Sequence, residues 1–188
     1  MIDDHLRLDP MPEASIDAEA LGRHLQQLRE TRGWSLSRLA NDAGIAKSNL
    51  CRLEQGNGNP TLDTLWRLAA QLEVPFGTLI KPVTAVLDDQ GVQIQLIDQG
   101  HDRPSVDVYW MHLDAQVERW SLGHPKGVRE TITVISGSLC TGAEALTRTL
   151  APGDSHSFAA DGPHLYATED QASSAIVTIV YPSRTVPT

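Results

Sequence analysis

The chain has 188 residues, with 24 acidic and 15 Lys or Arg side chains and a formal charge of −9. Two cysteines, Cys51 and Cys140, exclude the disulfide framework of a small secreted domain. No apolar run is long enough to span a membrane, and the acidic start "MIDDHLRLDPMPEAS" is unlike a signal peptide, so the reading is a cytoplasmic protein with no membrane partner.

Charge divides the chain into three blocks. Residues 1–20 hold one Arg against six acids, residues 21–82 hold eight Lys or Arg against five acids, and residues 83–188 hold six against thirteen. Only the middle block is basic, so an anionic partner is expected to dock there. Residues 1–17 are read as an acidic, flexible N-terminal extension. From Ala18 to Ile80 the apolar residues recur at helical spacing: Leu21, Leu25 and Leu28, then Leu36 and Leu39, Leu50 and Leu53, and Leu62, Leu65, Leu68 and Leu72. Gly33, Gly44 and the stretch 56–60 break this block, while Ser35 and Thr61 stand where N-caps are needed. The prediction is four helices and a short fifth around Phe76–Ile80, forming one domain over 18–82.

Beyond Lys81-Pro82 the period changes. "GVQIQLID", "VDVYWMHL", "QVERWSL", "TITVIS" and "SAIVTIVY" are short, β-branched or aromatic and partly alternating, with Gly, Pro and Asp clusters between them. This predicts an all-β sandwich or barrel over 83–188, and hence an α+β chain of two domains.

Within the helical half, "SLSRLANDAGIAKSNLCRLEQG" has the residue types two crossing helices need. Ala40 is small at the crossing, Gly44 can take the positive φ of the tight turn, and Ile45, Leu50 and Leu53 supply the apolar contact. The second helix shows Lys47, Ser48, Asn49 and Arg52 on one face, donors suited to base edges and phosphates. Over residues 28–74 the chain resembles the Cro/C1-like (Xre-type) helix-turn-helix domain, with "GIAKSNLCRLEQG" as the recognition-helix signature and "NPTLDTLWRLAAQLEV" as the helix that follows. The resemblance implies that Lys47, Ser48 and Arg52 read bases in the major groove of double-stranded DNA. Ser35, Arg38, Asn49, Asn57 and Asn59 would hold phosphates. Leu36 stands where many members carry a phosphate-contacting glutamine, a contact that Ser37 could supply.

The second half resembles a cupin barrel. "HPKGVRETITVISG" looks like the first cupin motif, "LAPGDSHSF" like the turn between barrel strands, and "GPHLYAT" like the end of the second motif. In metal-binding cupins two histidines spaced His-x-His, a glutamate and a distant histidine surround one divalent ion. Carried over, His124, Glu130 and His164 match three of those positions and Lys126 replaces the second histidine. An ammonium offers no lone pair and adds positive charge, so no metal cofactor is expected. A divalent ion at His124, Glu130 and His164 remains open if Lys126 points away or loses its proton.

The reading is therefore a sequence-specific transcription regulator, not an enzyme. It acts as a homodimer on a pseudo-palindromic operator, and a small anionic or zwitterionic effector binds at His124, Lys126, Glu130 and His164. The alternative is a metal-dependent cupin enzyme of the non-haem iron oxygenase or epoxidase type. The lone histidines His101, His112 and His156 are read as structural or solvated, and Trp110 and Trp120 as core aromatics that could also wall the cavity.

Overall fold

The computed structural model describes residues 17–83, 86–100, 102, 104–144 and 146–182, so the acidic extension lies outside the described residues except for Asp17, and His101 lies outside them too. Five helices come first: α1 (Ala18–Thr31), α2 (Leu36–Asp42), α3 (Lys47–Glu54), α4 (Leu62–Gln71) and α5 (Phe76–Ile80). Asp17, Ser35 and Thr61 cap α1, α2 and α4 through their side-chain oxygens. These bonds satisfy N–H groups that a helix start leaves unpaired.

The apolar spacing becomes a core. Leu25, Leu39, Leu50, Leu65, Leu68 and Leu72 are buried, and Leu36, Ile45 and Leu53 pack against them. Leu36 thus exchanges a polar contact outside for an apolar one inside. Two glycines are dictated by geometry. Gly44 takes φ +65 between α2 and α3, where the Ile45 N–H closes onto the Ala40 carbonyl. Gly22 lies under the end of α3, where a Cβ would fall 2.4 Å from the Leu53 carbonyl oxygen.

Ten strands follow: β1 (Leu87–Asp89), β2 (Val92–Gly100), β3 (Ser105–Leu113), β4 (Glu118–Ser121), β5 (Arg129–Ser136), β6 (Leu139–Ala143), β7 (Arg148–Leu150), β8 (Ser155–Ala159), β9 (His164–Ala167) and β10 (Ser173–Tyr181). They form a six-stranded sheet ordered β1-β2-β3-β10-β5-β8 and a four-stranded sheet ordered β4-β9-β6-β7, with antiparallel pairing throughout. Alternation sets the faces: Asp107, Tyr109, Met111 and Leu113 of β3 are buried, as are Ala175, Val177 and Ile179 of β10. The result is the cupin barrel that the motifs imply.

The barrel completes two helices of the first domain. α5 begins at a proline and has no side-chain cap of its own. Its first N–H groups, those of Phe76 and Gly77, instead donate to Tyr181 Oη (3.1 Å) and to Asp107 Oδ2 (2.8 Å). Asp107 also accepts from Tyr109 Oη and Gln99 Nε2, both at 2.8 Å. At the start of α4 the Leu62 N–H donates to Asp89 Oδ2 (3.1 Å), an oxygen that Arg119 Nη1 also reaches at 3.1 Å. A carboxylate at a helix N-terminus is favoured by the unpaired N–H groups and the positive end of the macrodipole.

Candidate DNA-binding surface and barrel site

α2 and α3 present the helix-turn-helix. Ala40 is fully buried at the crossing, while Lys47, Ser48, Asn49 and Arg52 are exposed on α3. Ser35 is exposed, but its hydroxyl is occupied by the Arg38 N–H; a phosphate there would share that oxygen. Ser37 is half-buried beside it. Arg38 lies over the Trp34 ring at 4.2 Å and pairs with Asp42 at 3.6 Å. Arg52 sits in the last turn of α3, and its Nη2 donates to the Asn57 carbonyl at 3.1 Å. Asn57 and Asn59 stand exposed on the loop that follows.

The orientation of α3 rests on a pair that spacing did not reveal. Arg29 of α1 bonds Glu54 with Nε at 2.6 Å and Nη2 at 2.7 Å, and its Nη1 holds the Trp34 carbonyl at 2.8 Å. The bond to Glu54 raises the Arg29 pKa above its ordinary value, against the opposing effect of burial.

In the barrel, Glu130 occupies an inward position of β5, in one row with Ile132 and Val134, and is wholly buried. β9 of the opposite sheet aims His164 and Tyr166 at it, and the loop after β4 brings in His124. His124 Nε2 and Tyr166 Oη donate to the two Glu130 oxygens. Burial opposes ionisation of Glu130, yet His124, His164 and Tyr166 together hold its pKa below the ordinary value. Burial, then the Glu130 charge, pushes the Tyr166 hydroxyl far above the usual phenol range, so it remains a donor.

His164 is the telling residue. Its Nδ1 donates to the Gly162 carbonyl at 2.9 Å, which fixes the tautomer. Burial lowers its pKa, so the ring is neutral and Nε2 carries a lone pair. That buried Nε2 has no hydrogen-bond partner among the described residues and lies 3.5 Å from Glu130 Oε1. Ligand atoms of His124, Glu130 and His164 all fall within 4.8 Å of one another. Two imidazoles and a carboxylate around an orphaned lone pair, with the second nitrogen of one ring held by a carbonyl, fit a divalent cation.

Lys126 does not join this group. It is exposed on the turn before β5, while the other three side chains converge inside the barrel. The expected cationic partner of the cavity is replaced by Arg119 of β4, which lines it together with Ser121, His124, Glu130 and Tyr166. Trp110 stacks on His112 at 5.8 Å and Trp120 is 47% exposed, so neither walls the cavity. The wall comes from the helical domain instead. Leu62 and Trp66 of α4 line the cavity, and the Trp66 ring lies 4.3 Å from that of His124 and stacks at 3.8 Å on Phe76.

Known proteins match both halves. The helix-turn-helix domain family matches residues 20–80. The HTH-type transcriptional regulator SutR of Escherichia coli (strain K12) is 36% identical over 157 residues, which cover 79% of this chain and 87% of that protein. The HTH-type transcriptional regulator SinR of Bacillus subtilis (strain 168) is 39% identical over 61 residues, 32% of this chain and 55% of that protein. A solved HTH_3 family transcriptional regulator from Vibrio cholerae superposes with a TM-score of 0.79 at 25% identity, over 89% of this chain and 98% of that one. A basic helix-turn-helix on a buried Arg29–Glu54 support, continued into a cupin barrel, places this chain in the family of HTH-type transcriptional regulators.

Proposed function

We propose that the protein is a ligand-responsive regulator in the cytoplasm, whose barrel occupancy sets how its recognition helix meets DNA. One observation carries this reading: the DNA-binding domain itself closes the barrel cavity, through Leu62 and Trp66. An occupant that moves His124 moves the surface on which Trp66 rests. Trp66 sits on α4, the helix that follows α3, and Asp89 and Asp107 tie α4 and α5 to the barrel. A differential contact of this kind can shift the poise of two domains by about 1–3 kcal/mol. Lys47, Ser48 and Arg52 would read bases, with Ser35, Ser37, Arg38, Asn49, Asn57 and Asn59 near phosphates. In a homodimer, two α3 helices would enter successive major grooves roughly 34 Å apart.

A divalent ion fits the barrel site, and His124, Glu130 and His164 would hold it. When bound, it would supply Lewis acidity and a fixed positive charge, and in a regulator its effect is to lock the His124 ring. The enzyme reading would need a metal with open positions and a substrate beside it. The regulator relatives favour sensing, while the outward Lys126 leaves the three-residue site open to an ion.

Fluorescence anisotropy with labelled duplex DNA tests this proposal. The log of the association constant should fall steeply with log salt, as expected when several phosphates are neutralised. Zinc or manganese added to metal-free protein should change that affinity and alter the tryptophan fluorescence through the His124–Trp66 contact. A protein that binds no DNA at low salt, yet turns over a substrate with iron, would be an enzyme.

A further inference from the structure

The barrel cavity alone is too small for a metabolite. It measures about 40 Å³, close to the ~30 Å³ that one water occupies in the liquid. Sites for small organic ligands run from roughly 300 Å³ upward. Beside it lies a cleft of about 400 Å³ between the two domains. The two spaces share Trp66, Arg119, Ser121 and His124, so His124 is at once the back of the cleft and the front of the cavity. One wall of the cleft is α4 with the α2–α3 turn, the other is β4 with the loop that follows it.

The lining selects for charge and shape. Arg119 spends one guanidinium donor on Asp89, which does not itself line the cleft. A guanidinium has five donors in a fork that matches a carboxylate. Across the cleft, Arg67 pairs with Asp63 at 2.6 Å, and its buried Nε has no partner among the described residues. The acids of this space are already engaged, Asp63 by Arg67 and Asp42 by Arg38. Trp120 and Leu122, 47% and 70% exposed, line the cleft together with Trp66. Large apolar side chains left open around a cleft of ligand size mark a binding surface.

We propose that the effector is a small carboxylate with an aromatic or branched body, held in this cleft with its carboxylate on Arg119 and its body between Trp66 and Trp120. The proposal rests on the regulator reading and moves the effector from the barrel lumen to the seam between the domains. A ligand there touches both domains directly, so its binding energy depends on their separation. An ion or water at His124 would then form the floor of the site.

The test uses the full chain with phenylacetate as the acid and phenylacetamide as its uncharged counterpart, followed by calorimetry and tryptophan fluorescence. Phenylacetate should bind saturably at or below the millimolar range, and the amide about tenfold or more weakly. Arg119→Gln and Trp120→Ala should each weaken the acid by about tenfold or more, and Lys126→Ala should leave it unchanged. Trp120 is half-exposed, so its alanine variant keeps the test decisive if Arg119→Gln unfolds. Absence of saturable binding, equal binding of the amide, or wild-type binding by Trp120→Ala overturns the proposal. If DNA binding with a steep salt dependence survives such a failure, only the effector site is wrong. If DNA binding is also absent, the regulator reading falls with it.

Discussion

Arg29 and Glu54, 25 residues apart, form a two-bonded ion pair sealed between α1 and the last residue of the recognition helix. Their side chains are only 10% and 6% exposed. Removing Glu54 leaves the buried guanidinium with only the exposed Glu30, 3.5 Å away, as a charged partner, so Glu54→Ala should cost about 3 kcal/mol. Replacing both, as Arg29→Met with Glu54→Leu, should restore most of that stability. Urea unfolding of the two variants checks this, and a double variant no better than Glu54→Ala would show that the bonds matter less than the space they fill.

Asp107 ties the domains through the Gly77 N–H and is itself held in place by barrel residues. Three donors converge on it, from Gly77, Tyr109 and Gln99. Asp107→Ala orphans the buried Gly77 N–H at a cost of about 1–3 kcal/mol, while Gln99 keeps Thr78 Oγ1 at 3.4 Å. Asp107→Asn keeps an acceptor and should lose roughly a third of that. In calorimetry the alanine variant is expected to split one unfolding transition into two as the domains uncouple; a single transition that merely shifts would argue against this.

Arg52→Ala should weaken cognate DNA by about 1–3 kcal/mol and relax specificity at one base position. The side chain is exposed and braced only by the Asn57 carbonyl, so stability should hardly change. Equal weakening of cognate and random duplexes would assign Arg52 to a phosphate.

Acidification should loosen the barrel in two stages. The folded-state pKa of His164 lies below its ordinary 6.5, so the unfolded chain takes up a proton first and stability begins to fall as pH drops below that value. Glu130 is held below its ordinary 4.5, so its contribution is present above that pH and is lost as pH falls through the folded-state value. Both slopes have the same sign. Urea midpoints measured from pH 7.5 to 4 should show the upper stage vanish in His164→Gln; an unchanged profile would assign it elsewhere.

The helical half was legible because its signals are local. Caps at Ser35 and Thr61, breaks at Gly33 and Gly44 and the leucine spacing each act within a few residues, and five helices follow from them. Five strands were legible as β-branched runs. β1 and β6 to β9 were not, because they are 3 to 5 residues long and carry no β-branched run that would mark them as strands. In the barrel site, motif spacing identified His124, Glu130 and His164, which do converge. It gave no hint that Lys126 faces solvent, since a single turn residue can point either way. Trp66, Arg119 and Tyr166 stayed hidden for another reason. Each matters through a partner distant in the chain, such as Tyr166 with Glu130, 36 residues away.

Asp89 limits how the chain can be divided. It lies in the first barrel strand, yet it satisfies an N–H at the start of α4 and holds Arg119 beside the cleft. Cut after residue 82, the helix-turn-helix would lose this cap together with those that Asp107 and Tyr181 give to α5. The same loss awaits any chimera that grafts these helices onto a foreign β domain, unless an acid is planted at the equivalent of position 89. In this chain the seam is a shared structural part, and a swap of modules has to carry it along.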